Sequence, residues 1–210
     1  MDFGAPGALA LASRLLAAGE ALILPTETLY GFSALGTAEA ARGRIEAWKG
    51  IAARRGFLAL VPGLDAVGPF LAATQDRRAL HFLRAVWPAP LTAVLRVREA
   101  LPWGEALESG ATAAFRVPAH ARLRKLLERV GAPVLSTSVN RTGEPALQRA
   151  ADIARVFATD ADLWLFRDRG LETRAPGPGS TIADCTVWPP RLVRAGLFDL
   201  EASLRAAPVT

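Results

Sequence analysis

The chain has 210 residues, 51% of them hydrophobic and 21% charged, which supplies enough apolar material for a packed core and excludes wholesale disorder. Its 25 Lys and Arg against 20 Asp and Glu leave a net charge of +5. That balance suits an anionic ligand, a nucleotide or RNA, and genome composition explains it equally well. Cys185 is the only cysteine, so no intramolecular disulfide forms and a reducing, cytoplasmic setting is expected.

In chain order, Pro6 to Ala18 reads as a helix, with Pro6 early and Gly19 just past its end. The segment lacks a basic start and carries Arg14, so it reads as amphipathic and not as a signal peptide. No apolar run is long enough to cross a membrane, and no membrane partner is expected. Ala21 to Leu24 is a short strand. Thr37 is positioned to cap a helix running to Trp48, with Gly50 as its stop. Phe57 to Val61 reads as a strand, Asp76 to Trp87 as a helix ended by Pro88, and Leu91 to Val97 and Thr112 to Val117 as strands. Ala121 to Val130 puts Leu123, Leu126, Leu127 and Val130 on one helical face before Gly131. Pro133 to Leu135 opens a strand, and Ala151 to Phe157 is a short helix. Leu163 to Phe166, Thr181 to Cys185 and Leu192 to Arg194 complete the strands, and the tail from Asp199 is helical. The longest irregular stretch, Arg167 to Gly179, is either a flap over a site or a surface loop. This alternation predicts an α/β sheet with helical cover, without internal repeat or interdomain linker.

In open α/β sheets, ligands bind beyond strand ends. Four places put polar residues directly after apolar strands. The run Pro25-Thr26-Glu27-Thr28-Leu29-Tyr30-Gly31 brings two hydroxyls and a carboxylate together, and it also reads as a plain turn. Trp48-Lys49-Gly50-Ile51, followed by Arg54 and Arg55, offers cations to an anion, or only complements a helix dipole. Arg116 lies inside an apolar run, so it needs an anionic partner or an edge strand that lets it reach water. Ser136-Thr137-Ser138-Val139-Asn140 offers donors to anionic oxygens. A serine nucleophile is the rival reading there, and no G-x-S-x-G motif surrounds these serines. The chain has neither a G-x-x-x-x-G-K-[ST] nor a G-x-G-x-x-G motif. His81, His120 and Cys185 are scattered singly, so no protein-ligated zinc or other metal site is expected.

These four places, together with Trp87-Pro88-Ala89-Pro90-Leu91-Thr92, Gly179-Ser180-Thr181-Ile182-Ala183-Asp184 and Leu192-Val193-Arg194-Ala195-Gly196, resemble in order and spacing the YrdC family of threonylcarbamoyl-adenylate synthases. The resemblance is strongest over residues 19–196, and residues 1–210 read as a single domain. It implies a twisted mixed α/β sheet with a concave basic cleft. It implies that L-threonine, bicarbonate and ATP give L-threonylcarbamoyl-adenylate and pyrophosphate, with Mg2+ carried by ATP. A threonylcarbamoyl-transferase complex would act downstream on tRNA, and tRNA binding by the chain itself is expected to be weak at most. By resemblance, Thr28, Arg116, Ser136 and Ser180 face threonine, and Thr112, Ser138 and Arg194 contact ATP. Lys49 and Asn140 stand at positions of the family's Lys-x-Arg and Ser-x-Asn signatures, and with Arg116 and Ser138 they are the candidate catalytic set.

One position departs from the family pattern: Ile51 stands where the resemblance expects arginine, and Arg54 or Arg55 is the candidate substitute near ATP. The implied chemistry joins the threonine amine to bicarbonate or CO2 as a carbamate, which attacks the α-phosphorus as pyrophosphate leaves. The protein's part is positioning and electrostatic stabilisation, so no nucleophile with a paired base is needed. Two other readings stand beside it. One is a non-catalytic RNA-binding module in translation or ribosome assembly. The other is a paralogue with a different acceptor amine.

Overall fold

Helix α1 (Ala8–Ala17) buries Ala8, Ala12 and Leu16, which recur every four residues and form one stripe. Helix α4 (Ala121–Val130) buries Leu123, Leu126 and Leu127 on one face, as its sequence pattern predicts. His120 caps it, its Nδ1 accepting the Leu123 N–H at 3.1 Å, and Gly131 at φ 68° ends it in the left-handed region. The two stripes pack on each other and on Leu22, Leu24, Leu60 and Val134 as one apolar cluster. The computed structural model that defines this arrangement describes residues 1–50, 57–101, 103, 105–107, 110–157, 163–173 and 177–206.

A larger cluster occupies the other face of the sheet. It takes Ala41, Ile45 and Trp48 from α2 (Glu39–Lys49) and Ala79, Phe82 and Leu83 from α3 (Arg77–Val86). It also takes Ile153 from α5 (Ala150–Val156) and Leu200 from α7 (Leu200–Ala206). Asp76 caps α3 by accepting the Arg78 N–H at 2.8 Å. Thr37 does not cap α2: the N-cap is Ala38, and no side chain bonds that end.

The strands are β1 (Leu22–Pro25), β2 (Tyr30–Leu35), β3 (Leu58–Leu60), β4 (Leu91–Val97), β5 (Glu105–Leu107), β6 (Gly110–Arg116), β7 (Val134–Ser138), β8 (Trp164–Leu165), β9 (Thr181–Asp184) and β10 (Arg191–Arg194). They form one mixed, open sheet in the order β10-β9-β4-β6-β3-β7-β2-β1-β8, with β5 paired to β6. The expected mixed α/β sheet with helical cover is therefore present. Strand β2, the 3₁₀ helix Leu64–Phe70, strand β5 and helix α6 (Arg169–Glu172) are elements that the pattern reading did not assign. Strand β2 is not legible in the local pattern because Gly31 and Ser33 break its apolar run. They alternate with Tyr30, Phe32 and Ala34, and all five are buried, so this strand is covered on both faces.

Register decides which side chains share a face. Gly31 pairs with Ser138 and Ser33 with Ser136 across β2 and β7, and Leu58 pairs with Ser136 across β3 and β7. Leu60 meets Arg116, Val94 meets Ala114, Arg96 meets Thr112, and Arg194 meets Ile182. Alternation therefore puts Ser136, Ser138, Thr112, Arg116 and Arg194 on one face. Helices α1 and α4 cover part of that face. The intervening positions Phe32, Leu135, Ala59, Ala113, Phe115 and Ala93 enter the larger cluster on the opposite face.

The last strands are held by a close backbone approach. Leu197 N–H donates to Gly179 O at 3.1 Å, and Phe198 N–H donates to Thr181 Oγ1 at 3.0 Å. A Cβ on Gly196 would overlap the backbone of Ser180 and Thr181 and lie 2.5 Å from Gly179 O. Gly196→Ala is expected to destabilise the protein by about 1–3 kcal/mol through this overlap, read as a lower melting temperature. An unchanged melting curve would show that the segment relaxes without cost.

Candidate functional site

A cavity of about 570 Å3 opens on the face that carries these hydroxyls and arginines. It is lined by Thr28, Arg116, Ser136, Ser138, Thr112 and Ser180, and also by Asn140 and Arg194. Eight of the residues singled out in the sequence thus converge, although they come from five separate stretches of chain. The structure supplies the reason: strand order and register bring these stretches to the same side of the sheet.

The turn between β1 and β2 is closed by Thr26. Its backbone N–H and its hydroxyl both donate to Leu29 O, at 3.0 and 2.7 Å. Thr26 Oγ1 also accepts the backbone N–H of Thr28 and of Leu29, each at 3.1 Å. The Thr26 and Thr28 hydroxyls bond each other at 2.9 Å, so the segment is both a turn and a pair of hydroxyls on one side. Thr28 Oγ1 accepts from both Nη1 and Nη2 of Arg116 at 3.2 Å. Strand β6 lies inside the sheet, between β4 and β3, so the edge-strand reading of Arg116 fails. The anionic partner is Glu27, whose Oε1 lies 2.6 Å from Arg116 Nη2. Burial would raise the Glu27 carboxyl. The Arg116 charge and hydrogen bond, with the Ala119 backbone N–H, outweigh it and hold the group below its usual 4.5.

The β7 loop is built around Asn140. Its Oδ1 accepts from Lys49 Nζ and from Ser138 Oγ, both at 2.8 Å, and its Nδ2 donates to Glu144 O at 2.7 Å. Lys49 Nζ also donates to Ser138 O at 2.9 Å, while Thr142 N–H donates to Lys49 O at 2.9 Å. Burial lowers the Lys49 pKa. Lys49 thus clamps the loop that carries Ser138 and Asn140. By contrast, the Ser136 hydroxyl bonds nothing among the described residues and lines the cavity. Gly31 leaves room for it, because a Cβ there would overlap Ser136 Oγ.

On the far side, Ser180 Oγ and Thr92 Oγ1 bond at 2.8 Å, and Arg194 Nη2 donates to Ser180 O at 3.0 Å. Burial lowers the Arg194 pKa first, and the nearby Arg116 charge lowers it further, so two cations share the cavity. Arg55, Arg54 and Ile51 lie outside the described residues. Reading by sequence missed Thr92 as a site group and saw the Glu27 carboxylate without its partner. The signal for Glu27 was a carboxylate directly after a buried strand.

The singly scattered residues have other uses. His120 Nε2 bonds Asp168 Oδ2 at 2.8 Å while its Nδ1 caps α4. Cys185 is buried, and burial pushes its thiol up to about 12. No group of three or more metal-ligating His, Cys, Asp or Glu side chains gathers among the described residues. No helix among them is long and apolar enough to cross a membrane.

The Sua5/YciO/YrdC family model, which carries the description telomere recombination, matches residues 14–196. The chain belongs to this family. It is 33% identical over 192 residues to the threonylcarbamoyl-AMP synthase of Pyrococcus abyssi, covering 91% of this chain and 54% of that protein. It is 29% identical to the threonylcarbamoyl-AMP synthase of Neisseria gonorrhoeae, covering 78% of this chain and 85% of that one. A solved structure of P. abyssi Sua5 complexed with L-threonine superposes with a TM-score of 0.75 at 29% identity, over 90% of this chain and 54% of that chain. The chain thus spans about half the length of the Pyrococcus relative and most of the Neisseria one.

The Glu27–Arg116 pair sets a pH dependence. A carboxylate whose folded pKa is depressed contributes stability that is fully present above its unfolded value, near 4.5, and is lost as pH falls through the lower folded value. Glu27→Gln should therefore lose stability relative to the wild type at neutral pH, and the gap should narrow as pH drops below that range. Paired urea titrations at neutral and acidic pH check this, and a gap that stays constant would remove Glu27 as the titrating group.

Proposed function

We propose that the cleft converts L-threonine, bicarbonate and ATP into L-threonylcarbamoyl-adenylate and pyrophosphate, for modification of tRNA. The observation that carries this reading is the convergence of Thr28, Ser136 and Ser180 with Arg116 and Arg194 around one cavity. Family membership supports it, as do relatives named for this synthase and a relative's structure with L-threonine.

The threonine carboxylate is assigned to Arg116, with Thr28, Ser136 and Ser180 as neighbouring hydroxyls. A guanidinium fork matches a carboxylate in geometry and charge. The threonine amine forms a C–N bond to the carbon of bicarbonate, a C–O bond breaks, and the departing hydroxide takes the amine proton and leaves as water, giving a carbamate. A carbamate oxygen then attacks the ATP α-phosphorus, and the bond to the β-phosphate oxygen breaks to release pyrophosphate. Negative charge grows on phosphate oxygens, which calls for preorganised donors in a sheltered site. Thr112, Ser138 and Arg194 are assigned to ATP. Lys49 and Asn140 are assigned to shaping the loop that presents Ser138. Arg55 remains the candidate for the cation that Ile51 does not supply. Mg2+ enters with ATP as part of the substrate, and the downstream transferase complex receives the adenylate.

Purified protein should release pyrophosphate from ATP only when threonine and bicarbonate are both present. Equal release without threonine would point to another acceptor amine, and no release with tight, salt-sensitive RNA binding would favour the RNA-binding module. Ser138→Ala should weaken nucleotide binding roughly tenfold, the effect of losing a hydrogen bond to a charged group. Ser136→Ala should instead weaken threonine binding and leave nucleotide affinity within about twofold. Calorimetry with each ligand separates the two, and identical profiles for both variants would refute the division of the loop.

A further inference from the structure

We propose that Glu27 is a positioning residue for substrate recognition: it holds the Arg116 guanidinium in the orientation that receives the threonine carboxylate. The proposal rests on the threonine reading of the cleft and deepens it.

Four observations carry it. Arg116 lines the cavity and Glu27 does not, so Glu27 stands behind the arginine and not beside the ligand. Their contact is 2.6 Å, with the two side chains only 4% and 13% exposed. Thr28 Oγ1 grips both terminal nitrogens of the same guanidinium at 3.2 Å, so Arg116 is held by a carboxylate and a hydroxyl from adjacent residues of one turn. Finally, Arg194 is close enough for the Arg116 charge to disfavour its own, so two guanidinia share one cavity.

Two like charges repel, and a long arginine side chain has the freedom to swing away. Glu27 balances one of the two positive charges and fixes its bearer. The guanidinium so fixed presents its remaining N–H groups to a single amino-acid carboxylate. Preorganisation of this kind lowers the ordering cost of binding. Thr26 reinforces the arrangement, since its turn fixes the backbone from which both Glu27 and Thr28 project.

The test is calorimetric titration of L-threonine, in the presence of a non-hydrolysable ATP analogue, into the wild type, Glu27→Gln, Glu27→Asp, Arg116→Gln and the double variant Glu27→Gln/Arg116→Gln. Glu27→Gln should weaken threonine binding roughly tenfold while nucleotide affinity stays within about twofold. Glu27→Asp should recover part of the loss, because it restores the charge at a shorter reach. In the Arg116→Gln background, Glu27→Gln should cause no further loss, because its effect runs through the arginine. In turnover, the Michaelis constant for threonine should rise more than kcat falls. Wild-type threonine affinity in Glu27→Gln overturns the proposal, as does an equal loss in both backgrounds. A parallel loss of nucleotide binding with a collapsed melting temperature assigns Glu27 to the fold and also overturns it. If the wild type itself binds no threonine, the reading of the cleft fails first and this proposal falls with it. A wild type that binds threonine beside an unaffected Glu27→Gln variant sinks this proposal alone.

Discussion

A guanidinium buried in the middle of a sheet has to be neutralised, and much of the site follows from how that is done. Arg116 stands on an interior strand with 4% of its side chain exposed. Removing one member of such a buried pair costs about 3–5 kcal/mol, because it leaves the other charge uncompensated. Glu27 is the counter-charge, and it can reach Arg116 only because the turn closed by Thr26 projects it there. The same turn delivers Thr28 to the guanidinium. One ion pair therefore ties the β1–β2 connection to β6 across strands far apart in sequence.

The cleft exists because the sheet is covered unequally. The face bearing Phe32, Phe115 and Leu135 is sealed by a large apolar cluster that draws on helices α2, α3, α5, α6 and α7. The other face receives only α1 and α4, whose stripes meet Leu60 and Val134. Beyond them, the alternating positions carry hydroxyls and arginines. Those groups would be costly under a helix, since buried polar atoms need partners, and they are well placed where a polar ligand supplies them.

Lys49 holds the loop that carries Ser138 and Asn140. Its ammonium is spent on Ser138 O and on Asn140 Oδ1, which also accepts from Ser138 Oγ. Together they fix a loop whose hydroxyls point into the cavity. A helix C-terminus is a favourable place for a lysine, and here the same lysine doubles as a clamp. The Lys49 and Asn140 signatures are thus explained by loop geometry as well as by charge.

Local pattern determined what local physics controls. The stripe of Leu123, Leu126 and Leu127, the Gly131 stop and the apolar run Leu91–Val97 were legible because helix and strand periods are written in consecutive residues. The family-like motifs also named most of the residues that line the cavity. Strand β2 was not legible as such, because the alternation of Gly31 and Ser33 with Phe32 and Ala34 is informative only once one face is known to be buried. Only the tertiary structure decided that Arg116 lies on an interior strand, that Glu27 is its partner and that Lys49 clamps the Ser138–Asn140 loop. Those outcomes depend on strand order and on contacts between residues some ninety positions apart, as for Arg116 with Thr28 at a separation of 88. Sequence spacing carries the period of an element. It does not carry which elements become neighbours, and the chemistry of this cleft is made of neighbours.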